Sequence, residues 1–193
     1  MDQLINRLQA LKAEKGRLLL AIDGRCGCGK SSLAAALAEV LEANVFHVDD
    51  FYLPFAAREP DWPERIAGNI DLARLRRELL EPLRAGQDLI YRPYDAHADR
   101  WKPECRVPFR AFSILEGSYC LHPSLADCYD FSLFVTAGAA VQERRLRARE
   151  GDRFSAFAER WIPMEERYFA RCDLPARADL ILTGEQDGRW EPV

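Results

Sequence analysis

Residues 17–32 read RLLLAIDGRCGCGKSS, and this stretch decides the fold. Gly24-Arg25-Cys26-Gly27-Cys28-Gly29-Lys30-Ser31 satisfies G-x-x-x-x-G-K-[ST] at every fixed position. The apolar run Arg17 to Gly24 suits a strand buried on both faces of a parallel sheet, and the Ala- and Leu-rich run Gly29 to Leu41 suits a helix. Strand, glycine-rich turn and helix together are what anion binding requires, because glycines let backbone N–H groups wrap the ligand and the helix N-terminus adds its dipole. On this reading Gly24, Arg25, Cys26, Gly27, Cys28, Gly29, Lys30, Ser31 and Ser32 surround the phosphates of ATP. Lys30 reaches the β- and γ-phosphates, and the Ser31 hydroxyl holds Mg²⁺. The competing reading is a plain turn with an exposed lysine. Cys26 and Cys28 fill free positions of the motif, either as inert filler or as thiols whose pKa the helix N-terminus lowers.

Working outward, Asp2 to Lys15 has Leu4, Ile5, Leu8 and Leu11 on one helical face and Gly16 as its stop. Asn44 to Val48 is a second strand, ending at Asp49 and Asp50. Further strands are expected at Asp88 to Tyr91, Phe112 to Leu115, Phe131 to Val135 and Leu180 to Leu182. Helices are expected at Asp71 to Leu83, Ala139 to Arg149 and through the aromatic-rich stretch Phe154 to Arg171. The alternation predicts an α/β fold, a parallel sheet flanked by helices, as one domain over residues 1–193. Two irregular segments, Leu53 to Asn69 and Tyr91 to Pro108, are long enough to carry substrate contacts.

The composition fits a small partner. Of 193 residues 48% are apolar and 30% charged, and 31 acidic against 27 basic residues leave a net charge of −4. That argues against nucleic-acid binding through bulk charge and leaves only a local basic patch open. No apolar run approaches the roughly 20 residues that cross a bilayer, so no membrane partner and a cytoplasmic location are expected. A homo-oligomer is left open. Six cysteines without a C-x-x-C pair read as reduced thiols, mostly small core residues.

A phosphate-binding loop serves GTPases, motors and small-molecule kinases alike. The chain lacks the N-K-x-D segment that reads guanine, and the strand Phe112 to Leu115 ends in Glu116-Gly117 instead of Asp-Glu. A kinase needs a carboxylate for the acceptor hydroxyl and cations for the transferring phosphoryl group. Asp49 and Asp50 end an apolar strand at the sheet edge where ligands of such folds bind, their alternative role being a turn or helix cap. Glu116, also at a strand end, is a candidate for Mg²⁺ or a substrate hydroxyl, or else a solvated loop carboxylate. Arg144, Arg145, Arg147 and Arg149 share one helix, with 144 and 147 on one face and 145 and 149 on another. They form either a short lid, in which Arg145 and Arg149 take the transferring phosphoryl group and Arg144 a nucleotide phosphate, or a solvated helix paired with Glu143 and Glu150. His47 and His122 have no motif partner.

The segments GRCGCGKSS, VDDFY, RPYDAH with Arg100, LEGSY and ERRLRAR resemble, in order and spacing, the uridine kinase family of nucleoside kinases and its relatives among phosphoribulokinases and pantothenate kinases. The likeness runs from about Leu18 to Arg149. It implies that Asp49, placed by Phe51 and Tyr52, is the catalytic base near Mg²⁺, with Asp50 only its neighbour. It also implies that Tyr52, Tyr94, Asp95, His97, Arg100 and Glu116 contact the acceptor. His97 and Arg100 stand closer to Tyr94 than in the family pattern, and Gly151-Asp152 interrupts the arginine run. The expected activity is ATP- and Mg²⁺-dependent transfer of a phosphoryl group to a small-molecule hydroxyl, a nucleoside such as uridine first. Pantothenate or a sugar phosphate is the rival acceptor, and a regulatory nucleotide-binding protein with weak ATPase activity the rival class.

Overall fold

The computed structural model describes residues 1–184 and 189–193. The chain opens with α1 (Asp2–Lys15), β1 (Leu18–Gly24), α2 (Lys30–Leu41) and β2 (Asn44–His47). A 3₁₀ turn, Val48–Phe51, follows β2 directly and carries Asp49 and Asp50. Helix α3 spans 72–84, with a wider π turn at Arg76–Leu80. Two small antiparallel ribbons come next, β3 (Leu89–Tyr91) paired with β6 (Cys105–Val107) and β4 (Tyr94–Asp95) paired with β5 (Arg100–Trp101). The central layer resumes with β7 (Phe112–Glu116), β8 (Phe131–Thr136), α4 (Ala139–Glu150), α5 (Ile162–Cys172), β9 (Leu180–Gly184) and β10 (Trp190–Pro192).

The main sheet has the order β10-β9-β8-β1-β7-β2, parallel throughout except for β10. The expected parallel α/β sheet is therefore present, with two corrections. The strand expected at Asp88 to Tyr91 lies outside the main sheet, in a ribbon with β6. The antiparallel edge strand β10 was not foreseen, because three residues near a chain end carry no readable period.

Strand β1 is buried along its whole length because both faces of the sheet are covered. Its period of two sorts the side chains. Leu18, Leu20 and Ile22 join Leu4, Leu8, Leu33 and Leu37 under α1 and α2, while Leu19 and Ala21 join Phe46, Leu79, Tyr168 and Phe169 on the opposite face. With β7 on one side and β8 on the other, β1 sits where the strand order reverses, and its carboxyl end opens at that crevice. Gly24 closes the strand at φ 136°. A Cβ there would lie 1.9 Å from the Val135 carbonyl oxygen, so only glycine lets the chain turn away from β8 into the loop.

Candidate active site

The loop between β1 and α2 folds around its own backbone carbonyls. Lys30 Nζ donates to the carbonyls of Gly24 at 2.8 Å and Arg25 at 3.0 Å. Burial opposes the Lys30 charge, but Cys28, Glu165, Asp23 and Glu116 around it outweigh burial and hold the ammonium above the ordinary lysine range. Burial, with Glu165 next, pushes the Cys26 thiol up to about 12, and burial also raises Cys28. Both thiols are buried, and the raised values favour the inert-filler reading. All six cysteines are free.

Helix α4 rests on this loop. Leu146 fills the space in front of Gly27, Gln142 Nε2 donates to the Cys26 carbonyl at 2.9 Å, and Arg145 Nη1 donates to the Cys28 carbonyl at 3.1 Å. The solvated-helix reading therefore fails for Arg145, although Arg149 on the same face pairs with Glu150 at 2.7 Å as that reading expects. It holds for the other face, where Arg147 pairs with Glu143 at 2.8 Å and Arg144 is exposed to solvent.

Across the loop, Asp49 opens onto a cleft of about 1310 Å³ that also exposes Lys30, Ser31, Glu116, Arg145 and Arg149. Desolvation, with Glu116 next, raises the Asp49 carboxyl above its usual range while Lys30 works the other way. Asp50 turns from the cleft toward the Tyr91 hydroxyl, 3.4 Å away, and the Lys102 ammonium at 3.9 Å. Glu116 is buried, and its Oε1 accepts from Ser31 Oγ at 3.1 Å and meets His47 Nδ1 at 2.5 Å. Parallel pairing of β2 with β7 sets His47 directly opposite Glu116, a partnership invisible at a separation of 69 residues.

Among the described residues no three His, Cys, Asp or Glu side chains form a metal-holding group. The donor chemistry nevertheless suits Mg²⁺, which takes one or two carboxylates plus phosphates and water in preference to a protein cage. Ser31, Glu116 and Asp49 supply three such oxygen donors in one cleft.

No family model matches the sequence. A stretch of 49 residues, 24% of the chain, is 43% identical to cytidylate kinase of Chlamydia muridarum (strain MoPn / Nigg), and spans 23% of that protein. Solved structures match far more of the chain. A possible uridine kinase from Bacillus stearothermophilus superposes with a TM-score of 0.67 at 22% identity, over 93% of this chain and 98% of that one. A candidate fructose transport system kinase from Silicibacter sp. TM1040 gives 0.66 at 26% identity, over 86% and 94%. The fold is that of a uridine kinase-like P-loop kinase. Phosphoribulokinase from Rhodobacter spheroides shares it more distantly, with a TM-score of 0.56 at 15% identity over 87% of this chain and 70% of that one.

Within this P-loop kinase fold the cleft takes in part of the expected set. Cys26, Gly27, Gly29, Lys30, Ser31, Ser32, Asp49, Tyr52, His97, Glu116, Arg145 and Arg149 line it. Gly24 and Cys28 shape the loop from beneath. Arg25 leaves the cleft altogether, donating from Nε to Thr136 Oγ1 at 3.2 Å and pairing with Glu166 of α5. Arg144 is exposed on α4 and is not among the residues that line the cleft. Tyr94 is buried with its hydroxyl on Asp99, and Asp95 Oδ1 accepts the amides of His97 and Ala98 at 3.0 and 3.1 Å in a tight turn. Arg100 is exposed on the ribbon. Tyr94, Asp95 and Arg100 thus hold the ribbon's shape or face water, and His97 alone of that segment's expected contacts faces the cleft.

Two buried carboxylates escaped the sequence reading. Glu165 of α5 accepts from the Cys26 amide at 2.8 Å and from Ser118 Oγ at 2.5 Å, tying α5 to the P-loop. Asp23, fully buried, accepts from the amides of Gly24 and Leu121 and from the Tyr168 hydroxyl at 2.7, 2.9 and 2.8 Å. An acidic residue inside an apolar strand gives no sequence signal until the element covering it is known.

Burial pushes the Asp23 carboxyl up from 3.8 to about 6. The folded chain then holds this proton more tightly than the unfolded chain does, so the cost of burying the carboxylate is full above pH 6 and disappears as pH falls toward 4. Measured against Asp23→Asn by urea unfolding, the wild-type chain gains relative stability between about pH 6.5 and 4, by up to about 3 kcal/mol. A stability difference that does not change with pH would contradict this.

Proposed function

We propose that the chain is an ATP- and Mg²⁺-dependent phosphotransferase acting on a hydroxyl of a small molecule. The observation that carries this reading is that Lys30 and Asp49 open onto one cleft, whose roughly 1310 Å³ exceeds the 300–1,000 Å³ typical of a single-ligand site. Two reactants fit side by side. Mg²⁺, when bound, would supply charge neutralisation for the phosphates. Ser31 and Glu116 would hold it, and Asp49 would accept the proton of the attacking hydroxyl. A carboxyl raised above the usual range suits a base for that proton. Lys30, Arg145 and Arg149 would face the phosphates.

A nucleoside such as uridine is the acceptor that the sequence resemblance implies, supported by Tyr52 and His97 in the cleft. An acceptor bearing its own charge is the second reading, favoured by Arg58. The test is ADP release in a coupled assay over nucleosides, pantothenate and sugar phosphates. Steady ATP hydrolysis unaffected by any acceptor would instead support the regulatory reading.

The arginines are separable. Arg149→Ala and Arg145→Ala lower kcat and kcat/KM together by about tenfold or more, because charge stabilisation acts in the transition state. Arg147→Ala, whose guanidinium pairs with Glu143 outside the cleft, stays near wild type, since exposed pairs contribute under about 1 kcal/mol. Equal effects at 147 and 149 in steady-state kinetics would remove the phosphate role from this helix.

A further inference from the structure

The segment that follows the Asp49 turn carries a cation into the cleft that the phosphate-transfer roles leave unused. Arg58 lines the cleft together with Tyr52, Phe55 and Trp62. Its guanidinium carbon lies 4.3 Å from the Phe55 ring centroid, 5.2 Å from that of Trp62 and 5.8 Å from that of Tyr52. Packing on rings explains how the side chain is held, and Nε donates to the Leu53 carbonyl at 3.0 Å. Neither contact accounts for Nη2, which is buried and has no hydrogen-bond partner.

Of the other cleft cations Arg160 is exposed to solvent, and the remaining four are committed. Lys30 sits on the carbonyls of Gly24 and Arg25, Arg145 donates to the Cys28 carbonyl, and Arg149 and Arg153 both pair with Glu150. Burial opposes the Arg58 charge, and the ionisable groups that act on it, Tyr52, Tyr94 and Asp99, all lie outside the P-loop. Of these Asp99 is already engaged, accepting from the Tyr94 hydroxyl and the Phe55 amide. An arginine stays ionised and offers donors in a planar fork, and leaving a desolvated donor unpaired is costly. An anionic group entering the cleft beside Arg58 would give the guanidinium a charged partner.

We infer that the phosphate acceptor carries an anionic group of its own, a phosphate monoester or a carboxylate, which Arg58 grips while the acceptor's hydroxyl is presented to Asp49. This rests on the phosphotransferase reading for the hydroxyl, but not for the anion site. Both anions match the guanidinium fork and accept charge-assisted hydrogen bonds. A neutral nucleoside leaves the Nη2 donor without a charged partner, so the inference runs against uridine as the natural acceptor.

The test pairs each charged probe with its uncharged counterpart: a hexose phosphate against the free hexose, and pantothenate against its alcohol, with uridine as a third neutral probe. Binding is read in the presence of ADP by tryptophan fluorescence, for which Trp62 beside Arg58 is the reporter, and transfer is read as ADP release from ATP. The expected result is that one charged probe binds about tenfold or more tighter than its neutral partner. The phosphate and carboxylate arms tell which anion is read. Arg58→Met, which keeps the packing volume, removes that preference and raises KM about tenfold with kcat changed far less, while Arg58→Lys restores part of it. Loss of packing alone would lower the melting temperature without creating a charge-dependent split. Equal affinity for charged and neutral probes, or a charge preference that survives in Arg58→Met, overturns the anion site. So does efficient phosphorylation of uridine with an unchanged KM in Arg58→Met, an outcome that leaves the phosphotransferase reading intact. Arg58-dependent binding of a charged probe with no ADP release from any acceptor would do the reverse.

Discussion

Asp49→Asn lowers kcat by about 10²- to 10⁴-fold with little change in ATP affinity, because the amide keeps the size of the side chain but cannot take the hydroxyl proton. Asp50→Asn loses far less. Asp49 opens onto the cleft, whereas Asp50 lies against Tyr91 and Lys102, and its carbonyl accepts from Arg74 Nη2 at 3.0 Å. The two variants also differ in kind: Asp50→Asn weakens the side-chain contacts to Tyr91 and Lys102, which a melting curve reads, and Asp49→Asn leaves stability near wild type. Steady-state kinetics on both, with the confirmed acceptor, decides the matter. Should Asp50→Asn be the inactive variant, the base is misassigned by one residue and the cleft geometry no longer explains the reaction.

Lys30→Ala weakens ATP binding and lowers kcat by about 10²- to 10³-fold, the loss associated with removing one preorganised charge donor. In the folded chain the ammonium rests on the Gly24 and Arg25 carbonyls, amid Asp23, Glu116 and Glu165. Its removal therefore acts twice. The phosphates lose their cation, and the buried carboxylates lose a neighbour that favours their ionised form, so the Asp23 carboxyl rises further above about 6. Nucleotide titration together with circular dichroism separates lost binding from lost structure. Normal turnover in a folded Lys30→Ala chain would remove the nucleotide from this loop.

The two variants probe parts of the molecule that differ in how far they can be read from the chain. Lys30 belongs to a site made of consecutive residues, and the glycines at 24, 27 and 29 are needed by the backbone itself. Asp49, the proposed base, belongs to a cleft made of segments far apart in sequence. Between Asp49 and Asp50 the residue types are identical, and what separates them is the 3₁₀ turn after β2, which sends one carboxylate to the cleft and the other to the ribbon. Helical spacing puts Arg145 and Arg149 on one face, and both line the cleft, but spacing alone does not say which of two faces rests on the loop. Tyr94 and Asp95 fit the family pattern as letters, yet the tight turn after β4 uses both to hold its own shape.

By itself the sequence determined the parallel α/β class, the strand that leads into the phosphate loop and the identity of that loop. Those features follow from local backbone requirements and from the period of apolar residues, both of which act over short stretches of chain. Only the tertiary structure decided that His47 meets Glu116, that Glu165 holds the Cys26 amide, that Asp23 is buried under Tyr168 and that Arg58 enters the cleft with an unpaired Nη2. The separations of 69, 139 and 145 residues in the first three of these contacts are the physical reason. A side chain's charge state and partners are set by what packs against it, and packing brings together residues that no local pattern links.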